Sequence, residues 1–147
     1  MNNKLPIIAG LLLLVLFSSC SFQKLLKNGT IDEKFEKAME LYEKKDYART
    51  LQLFDQLSGA MRATDKAQKI AYHYPFCYYH QKDYTLASYY FKRFYTSYPN
   101  AAEAEECLYM SAYCNFLNSH DYSLDQSATY DALKDLQFFT NTYPESK

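Results

Sequence analysis

Apolar side chains recur every three or four positions along most of the chain after residue 31, which is the spacing of one buried face of an α-helix. Short polar turns such as Asp46-Tyr47 and Asp83-Tyr84 interrupt this pattern. The pattern predicts an all-α fold of antiparallel helix pairs, because short connections make consecutive helices pack side by side. The expected helices span residues 32–44, 47–58, 65–80, 84–97, 101–117 and 126–141.

One spacing of small and large residues recurs in the second helix of each pair. Ala87 is small where two helices would cross closely, Phe91 would fill the gap between pairs, and Pro99 would end the helix. An Ala-x3-Phe spacing followed by Pro is typical of the second helix of a tetratricopeptide repeat. The related positions are Thr50, Phe54 and Leu57 upstream, and Ala132, Leu136, Phe139 and Pro144 downstream.

Three imperfect copies of this repeat account for residues 32–147 and predict a tetratricopeptide-like α-solenoid. Asp46 and Asp83 occupy the same place in successive copies, and 83 − 46 = 37 residues separate them, close to the usual repeat length of about 34. The extra residues of this first copy fall within 58–64, and a polar insertion at 118–127 interrupts the third copy.

Two residues are expected to affect the course or the start of a helix. Pro75 falls inside the predicted helix 65–80, where it loses a backbone hydrogen bond, so we expect a kink or a late start but no loss of the helix. Asn100 follows Pro99 and is expected to be the N-cap of the next helix.

The first twenty residues differ from the rest of the chain. Lys4 gives a positive start, residues 5–17 are almost entirely apolar, and Ser18-Ser19-Cys20 follows. This order is that of an export signal, and its small-small-Cys ending resembles a bacterial lipobox, in which the cysteine is lipidated and becomes the first mature residue. The alternative is an ordinary signal peptide that ends near a cysteine. We predict a lipoprotein signal peptide at 1–19, a lipidated tether at 20–31 and the repeat domain at 32–147.

Composition and net charge exclude several classes of protein function. The chain has 3 glycines in 147 residues, too few for Gly-rich phosphate loops, and it has no Gly-x-Ser-x-Gly sequence. Its 16 basic and 17 acidic residues give a net charge of −1, which does not attract nucleic acid. We therefore expect no enzymatic activity, no catalytic residue, no cofactor, no metal and no nucleic-acid partner.

The cysteines and histidines of the repeats show no ligand spacing. Cys107 and Cys114 are seven positions apart, about 10 Å along one helix, which is too far for a disulfide. We expect both of them and Cys77 to be buried packing thiols, with a disulfide through Cys77 as the alternative. His73 and His80 are also seven positions apart, unlike the i, i+4 pairs that hold zinc.

A known family combines these features. The lipobox, the degenerate repeats, the helix Cys107-Leu108-Tyr109-Met110-Ser111-Ala112-Tyr113 and the segment that ends in Tyr143-Pro144 resemble the outer-membrane assembly lipoproteins of the BamD (YfiO) family, in a cysteine- and tyrosine-rich form of the Bacteroidetes type. Members carry more than three repeats, so the resemblance implies a sequence truncated after the third.

The resemblance implies a function as well as a fold. It predicts a non-enzymatic subunit of the β-barrel assembly machinery, lipid-anchored through Cys20 in the outer membrane and facing the periplasm. Its partners would be unfolded outer-membrane protein precursors and the barrel-forming subunit. The alternative is another periplasmic repeat lipoprotein that acts in cell-envelope coordination or glycan uptake.

The candidate binding surface follows from the repeat frame. In tetratricopeptide repeats the first helix of each pair lines the concave face, and Tyr and Met side chains suit peptides of varied sequence. Aromatic stripes at helical spacing are also typical of a core, so we expect many of these rings to pack between helices. The candidate concave residues are Phe35, Met39, Tyr42, Lys69, Tyr72, Phe76, Tyr79 and His80.

Overall fold

A computed structural model of the protein describes residues 21–61, 64–119 and 126–146, so the predicted signal peptide and Cys20 lie outside the described residues. Residues 21–28 are helical and are called α1. Each later helix packs on the next, giving three antiparallel pairs, and the described residues include no strand. The predicted all-α, tetratricopeptide-like fold is confirmed. The six later helices are α2 (Ile31–Glu43), α3 (Tyr47–Ala60), α4 (Asp65–His80), α5 (Tyr84–Ser97), α6 (Ala104–Leu117) and α7 (Ser127–Thr142).

The turns inside the first two pairs have the same construction. Lys45 and Lys82 adopt positive φ angles of 60° and 63°, the left-handed conformation that commonly ends a helix. Asp46 and Asp83 follow them, and each carboxylate accepts a hydrogen bond from the backbone N–H three residues later. The repeated Lys-Asp-Tyr sequence therefore ends one helix and starts the next.

The core positions that the repeat frame predicts are buried in the first two pairs, whereas Leu136 in α7 is only half-buried. Thr50 and Ala87 are 0% exposed and Ala132 is 2% exposed, which lets neighbouring helices approach closely. Phe54 and Phe91, one turn later in α3 and α5, are also 0% exposed. The alternation of a small and a large residue thus positions the pairs against each other, as expected from close packing.

Helix α6 begins later than predicted, and Asn100 is not its N-cap. Two turns come first: the Ala101 N–H donates to the Tyr98 carbonyl, and the Ala104 N–H donates to the Ala101 carbonyl. Glu103 takes the cap position without a side-chain hydrogen bond. The chain after Tyr98 uses its first backbone hydrogen bonds in these turns, so the regular helix starts only at Ala104.

Helix α4 is continuous through Pro75 and starts at Asp65, so the late start does not occur. Pro75 itself is fully buried. A buried proline ring contributes apolar packing, and this offsets the backbone hydrogen bond that it cannot donate.

The three cysteines of the repeats are buried free thiols, as predicted, and Cys77 forms no disulfide. Burial raises the pKa of Cys77 and of Cys114 to about 12. Burial also raises the pKa of Cys107, with a further contribution from the nearby Glu106. These thiols are therefore protonated at neutral pH and unreactive.

The segment expected to be a tether is partly folded. Phe22 in α1 is 6% exposed and belongs to the same buried cluster as Phe35 and Leu41. Leu25 and Leu26 are half-buried against that cluster. The three apolar side chains lie on one side of α1, so this helix packs on the first repeat.

Core substitutions in α5 test the repeat frame. Phe91→Ala should lower the free energy of unfolding by about 3–5 kcal/mol because it opens a cavity, and Ala87→Leu should lower it by about 1–3 kcal/mol through overpacking. Tyr89→Ala is the matched control, because Tyr89 is 59% exposed on the same helix and its loss should change stability by about 0.5 kcal/mol or less. Urea denaturation measures all three. Equal midpoints for Phe91→Ala and Tyr89→Ala would refute the frame.

Candidate functional site

A line of contacting side chains crosses the first helix of each pair. The ring of Tyr42 in α2 lies 4.6 Å from the imidazole of His73 in α4, measured between centroids. His73 in turn lies 5.0 Å from the ring of Tyr72. The Tyr72 hydroxyl donates a 2.7 Å hydrogen bond to the Glu106 carboxylate in α6. We call Tyr42, His73 and Tyr72, together with Glu106 at their end, the aromatic row.

A second group of rings lies at the carboxyl end of α4. His80 is exposed and stacks on Tyr47, with centroids 4.5 Å apart and ring planes 11° apart. Tyr79 lies 5.5 Å from His80 and 5.9 Å from Tyr84. Burial raises the pKa of Tyr79, and Tyr113 in α6 adds to this shift. The exposed imidazole of His80 is thus held by aromatic neighbours.

The eight predicted concave residues differ in exposure. Phe35 is 6% exposed, and the Lys66 ammonium lies 5.0 Å above its ring, so Phe35 belongs to the core. Phe76 is half-buried with its centroid 4.8 Å from that of Phe91. The other half-buried residues are Met39, Tyr42, Tyr72 and Tyr79, whereas Lys69 and His80 are exposed.

The aromatic row is uncharged except at its Glu106 end. Burial raises the pKa of Tyr42 and of Tyr72, and the hydrogen bond to Glu106 adds to the shift of Tyr72. Burial lowers the pKa of His73, whose buried Nδ1 has no hydrogen-bond partner among the described residues. Neutral rings of this kind favour contact with apolar and aromatic side chains.

The third repeat contributes residues that the sequence analysis missed. Glu106 and Tyr113 follow Tyr72 and Tyr79 by 34 residues each, since 106 − 72 = 34 and 113 − 79 = 34. Extending the repeat spacing into α6 would have found both. His73 gives no such signal, because it lies next to the standard concave positions.

A separate cleft of about 480 Å³ opens between α3, α4 and α5. The Tyr74 hydroxyl at its wall donates a 2.5 Å hydrogen bond to Asp55, and the Tyr74 and Tyr90 centroids are 4.6 Å apart. Arg93 also lines this cleft. Its aromatic lining makes it the main competitor of the aromatic row as a binding surface.

No group of three His, Cys, Asp or Glu side chains in the part of the chain that the structure describes is arranged to hold a metal ion. Within the same residues, no helix combines the length and the apolar character that crossing a bilayer requires.

Comparison with known proteins gives one family. Residues 27–147 match the model of YfiO, described as an outer membrane lipoprotein. No curated protein matches the chain. Because the family match covers the whole repeat region and well over half of the sequence, the chain belongs to the YfiO family of outer membrane lipoproteins.

Proposed function

We propose that this protein is a non-enzymatic subunit of the β-barrel assembly machinery that binds unfolded outer-membrane protein precursors on its concave face. Family membership supports a role at the outer membrane. The observation that carries the binding proposal is the aromatic row, because it joins the first helices of all three pairs into one surface. The barrel-forming subunit would be the protein partner, and Cys20 would carry the lipid anchor.

The exposure of the rings suits a weak peptide receptor. An extended strand directs every second side chain to the same side, so a line of half-buried rings can contact alternate residues. Rings already held by neighbours lose little conformational entropy on binding. The disordered peptide loses much more, which keeps the affinity low and allows transfer to the next subunit.

The second group of rings, at the carboxyl end of α4, gives the cleanest test of peptide binding to the concave face. Tyr79→Ala combined with His80→Ala should weaken binding about tenfold, because Tyr is among the residues that contribute most at interfaces and a combined loss of about 1.4 kcal/mol corresponds to a factor of ten. The probe is a labelled peptide of alternating aromatic and polar residues, and fluorescence anisotropy measures its dissociation constant. Tyr89→Ala combined with Arg93→Ala is the control on α5, and should bind like the wild type.

Three outcomes of these measurements contradict the proposal. Equal binding of a scrambled peptide would exclude sequence-selective reception. Loss of affinity in the α5 control alone would assign the peptide to the cleft that Arg93 lines. Unfolding of the Tyr79 and His80 variant, followed by circular dichroism, would assign these rings to the core.

Membrane attachment should depend on Cys20. Cys20→Ala should release the protein from the membrane fraction, because acyl chains supply the attachment that no described helix provides. Metabolic labelling with a fatty-acid analogue measures the lipid directly. Equal labelling of the alanine variant would contradict the lipobox prediction.

Partner identification separates the proposed function from its alternative. Affinity purification from detergent-solubilised membranes should co-isolate the barrel-forming assembly subunit, since a scaffold of this kind acts in contact with it. Recovery of peptidoglycan-associated or transport proteins in its place would favour cell-envelope coordination or glycan uptake.

A further inference from the structure

We propose that α1 clamps the lipid anchor to the first repeat and lays its lysine-bearing face on phospholipid headgroups. This inference rests on the proposed lipidation of Cys20. It replaces a loose tether by a short, folded connection that holds the first repeat at the membrane surface.

Phe22 is the side chain that fixes α1. It is 6% exposed within the core cluster of the first repeat. The Arg49 guanidinium lies 5.6 Å from the centroid of its ring and is itself paired with Asp46. Phe22 is therefore packed between the core cluster of the first repeat and the Arg49 guanidinium.

The junction between α1 and α2 is equally constrained. The Gly29 N–H donates a 2.8 Å hydrogen bond to the Leu25 carbonyl. A Cβ atom at position 29 would lie 2.6 Å from that oxygen and 2.6 Å from Leu25 Cδ1. Thr30 and Glu33 then form a capping box at the start of α2. Only glycine fits this junction without movement of the backbone, so the direction of α1 relative to α2 is set.

Covalent geometry places the lipid close to the clamp. Consecutive Cα atoms are about 3.8 Å apart, so the Cys20 Cα lies within about 8 Å of the Phe22 Cα in any conformation. A flexible tether over residues 20–31 would instead have a root-mean-square length of about 20 Å. The folded connection therefore brings the first repeat to the headgroup layer and limits its rotation.

The outward face of α1 suits a membrane surface that contains anionic lipid. Gln23, Lys24 and Lys27 are exposed, and Lys24 borders a groove beside α1 that Glu36 of α2 also lines. Residues 21–28 contain no acidic side chain, and neither lysine forms an ion pair within the described residues. The first turn of α2, by contrast, carries Asp32 and Glu33. The helix that follows the lipidation site therefore carries two basic side chains and no acidic one, and anionic headgroups attract such charge.

The test uses the mature lipidated protein in vesicles of phosphatidylethanolamine and phosphatidylglycerol that carry a headgroup acceptor dye. A donor dye is placed on Glu36→Cys, in the groove beside α1, and on Lys134→Cys in α7 as the distant reference. The three native repeat cysteines are buried, so the introduced thiol is labelled selectively. Energy transfer at high salt should be strong from position 36 and weak from position 134.

Two variants test the clamp. Six Gly/Ser residues inserted between Cys20 and Ser21 leave the repeat core untouched, and should lower the energy transfer from position 36 at high salt, because they add a flexible length of about 12–15 Å. Phe22→Ala should reduce it in the same way while α2–α7 stay folded. Wild-type transfer in the insertion variant, or equal transfer from positions 36 and 134 in the parent, would overturn the proposal.

The headgroup contact is tested in the insertion variant, where the clamp no longer holds the domain. At low salt its energy transfer should recover, because charge attraction then acts over a longer range. Adding Lys24→Gln and Lys27→Gln should prevent the recovery. Equal recovery in the insertion variant with and without these two substitutions would overturn the headgroup contact. Flotation with the vesicles keeps this inference separate from lipidation: failure to float contradicts the lipid anchor, whereas flotation without energy transfer contradicts the clamp.

Discussion

The structure depends on the interlock of aromatic rings between α4 and α5. Phe91 is fully buried with its centroid 4.8 Å from that of Phe76, and Tyr72 lies 5.8 Å from Phe94 in the same layer. A single helix pair cannot bury its apolar face alone, so the repeats are stable only through contacts of this kind. The central pair, which packs on both neighbours, contributes most of these rings.

This interlock also explains the properties of the candidate binding surface. Tyr72 and Phe76 pack against the buried cluster that contains Phe91 and remain half-buried. Their positions are therefore fixed before a ligand arrives, which lowers the entropy lost on binding. Because these rings also pack against the core, only part of their apolar area remains available to a peptide, so the peptide gains few contacts. The proposed transfer of a precursor to the next subunit needs both properties.

The sequence predicted the elements with strong local signals and failed where the residue types give no signal for the backbone conformation. The bounds of α4 and α5 were correct, because Thr64 and Asp83 cap these helices with their own side chains. The start of α6 was wrong, because a local cap at Asn100 competes with backbone turns that the sequence does not reveal. Likewise, the left-handed conformation of Lys45 has no signal in its residue type.

The candidate site was predictable only in part, for a related reason. Helical periodicity marks an apolar stripe, but it does not show which members lie beneath a neighbouring helix. Phe35 and Tyr72 occupy equivalent repeat positions, yet Phe35 is buried beneath Lys66 whereas Tyr72 reaches Glu106. The packing of Phe22 was missed because its partners, Phe35 and Leu41, lie beyond the turn that follows α1.

Site-specific photo-crosslinking tests the central claim, that the concave face presents the aromatic surface to precursors, most directly. A photoreactive residue is placed at Lys69 or His80 on the exposed edge of the first helices, and at Tyr89 or Arg93 on α5 for comparison. Crosslinks to an unfolded outer-membrane precursor are expected from Lys69 and His80, and few from the α5 positions. Efficient crosslinks from Tyr89 and Arg93 without any from Lys69 and His80 would contradict it.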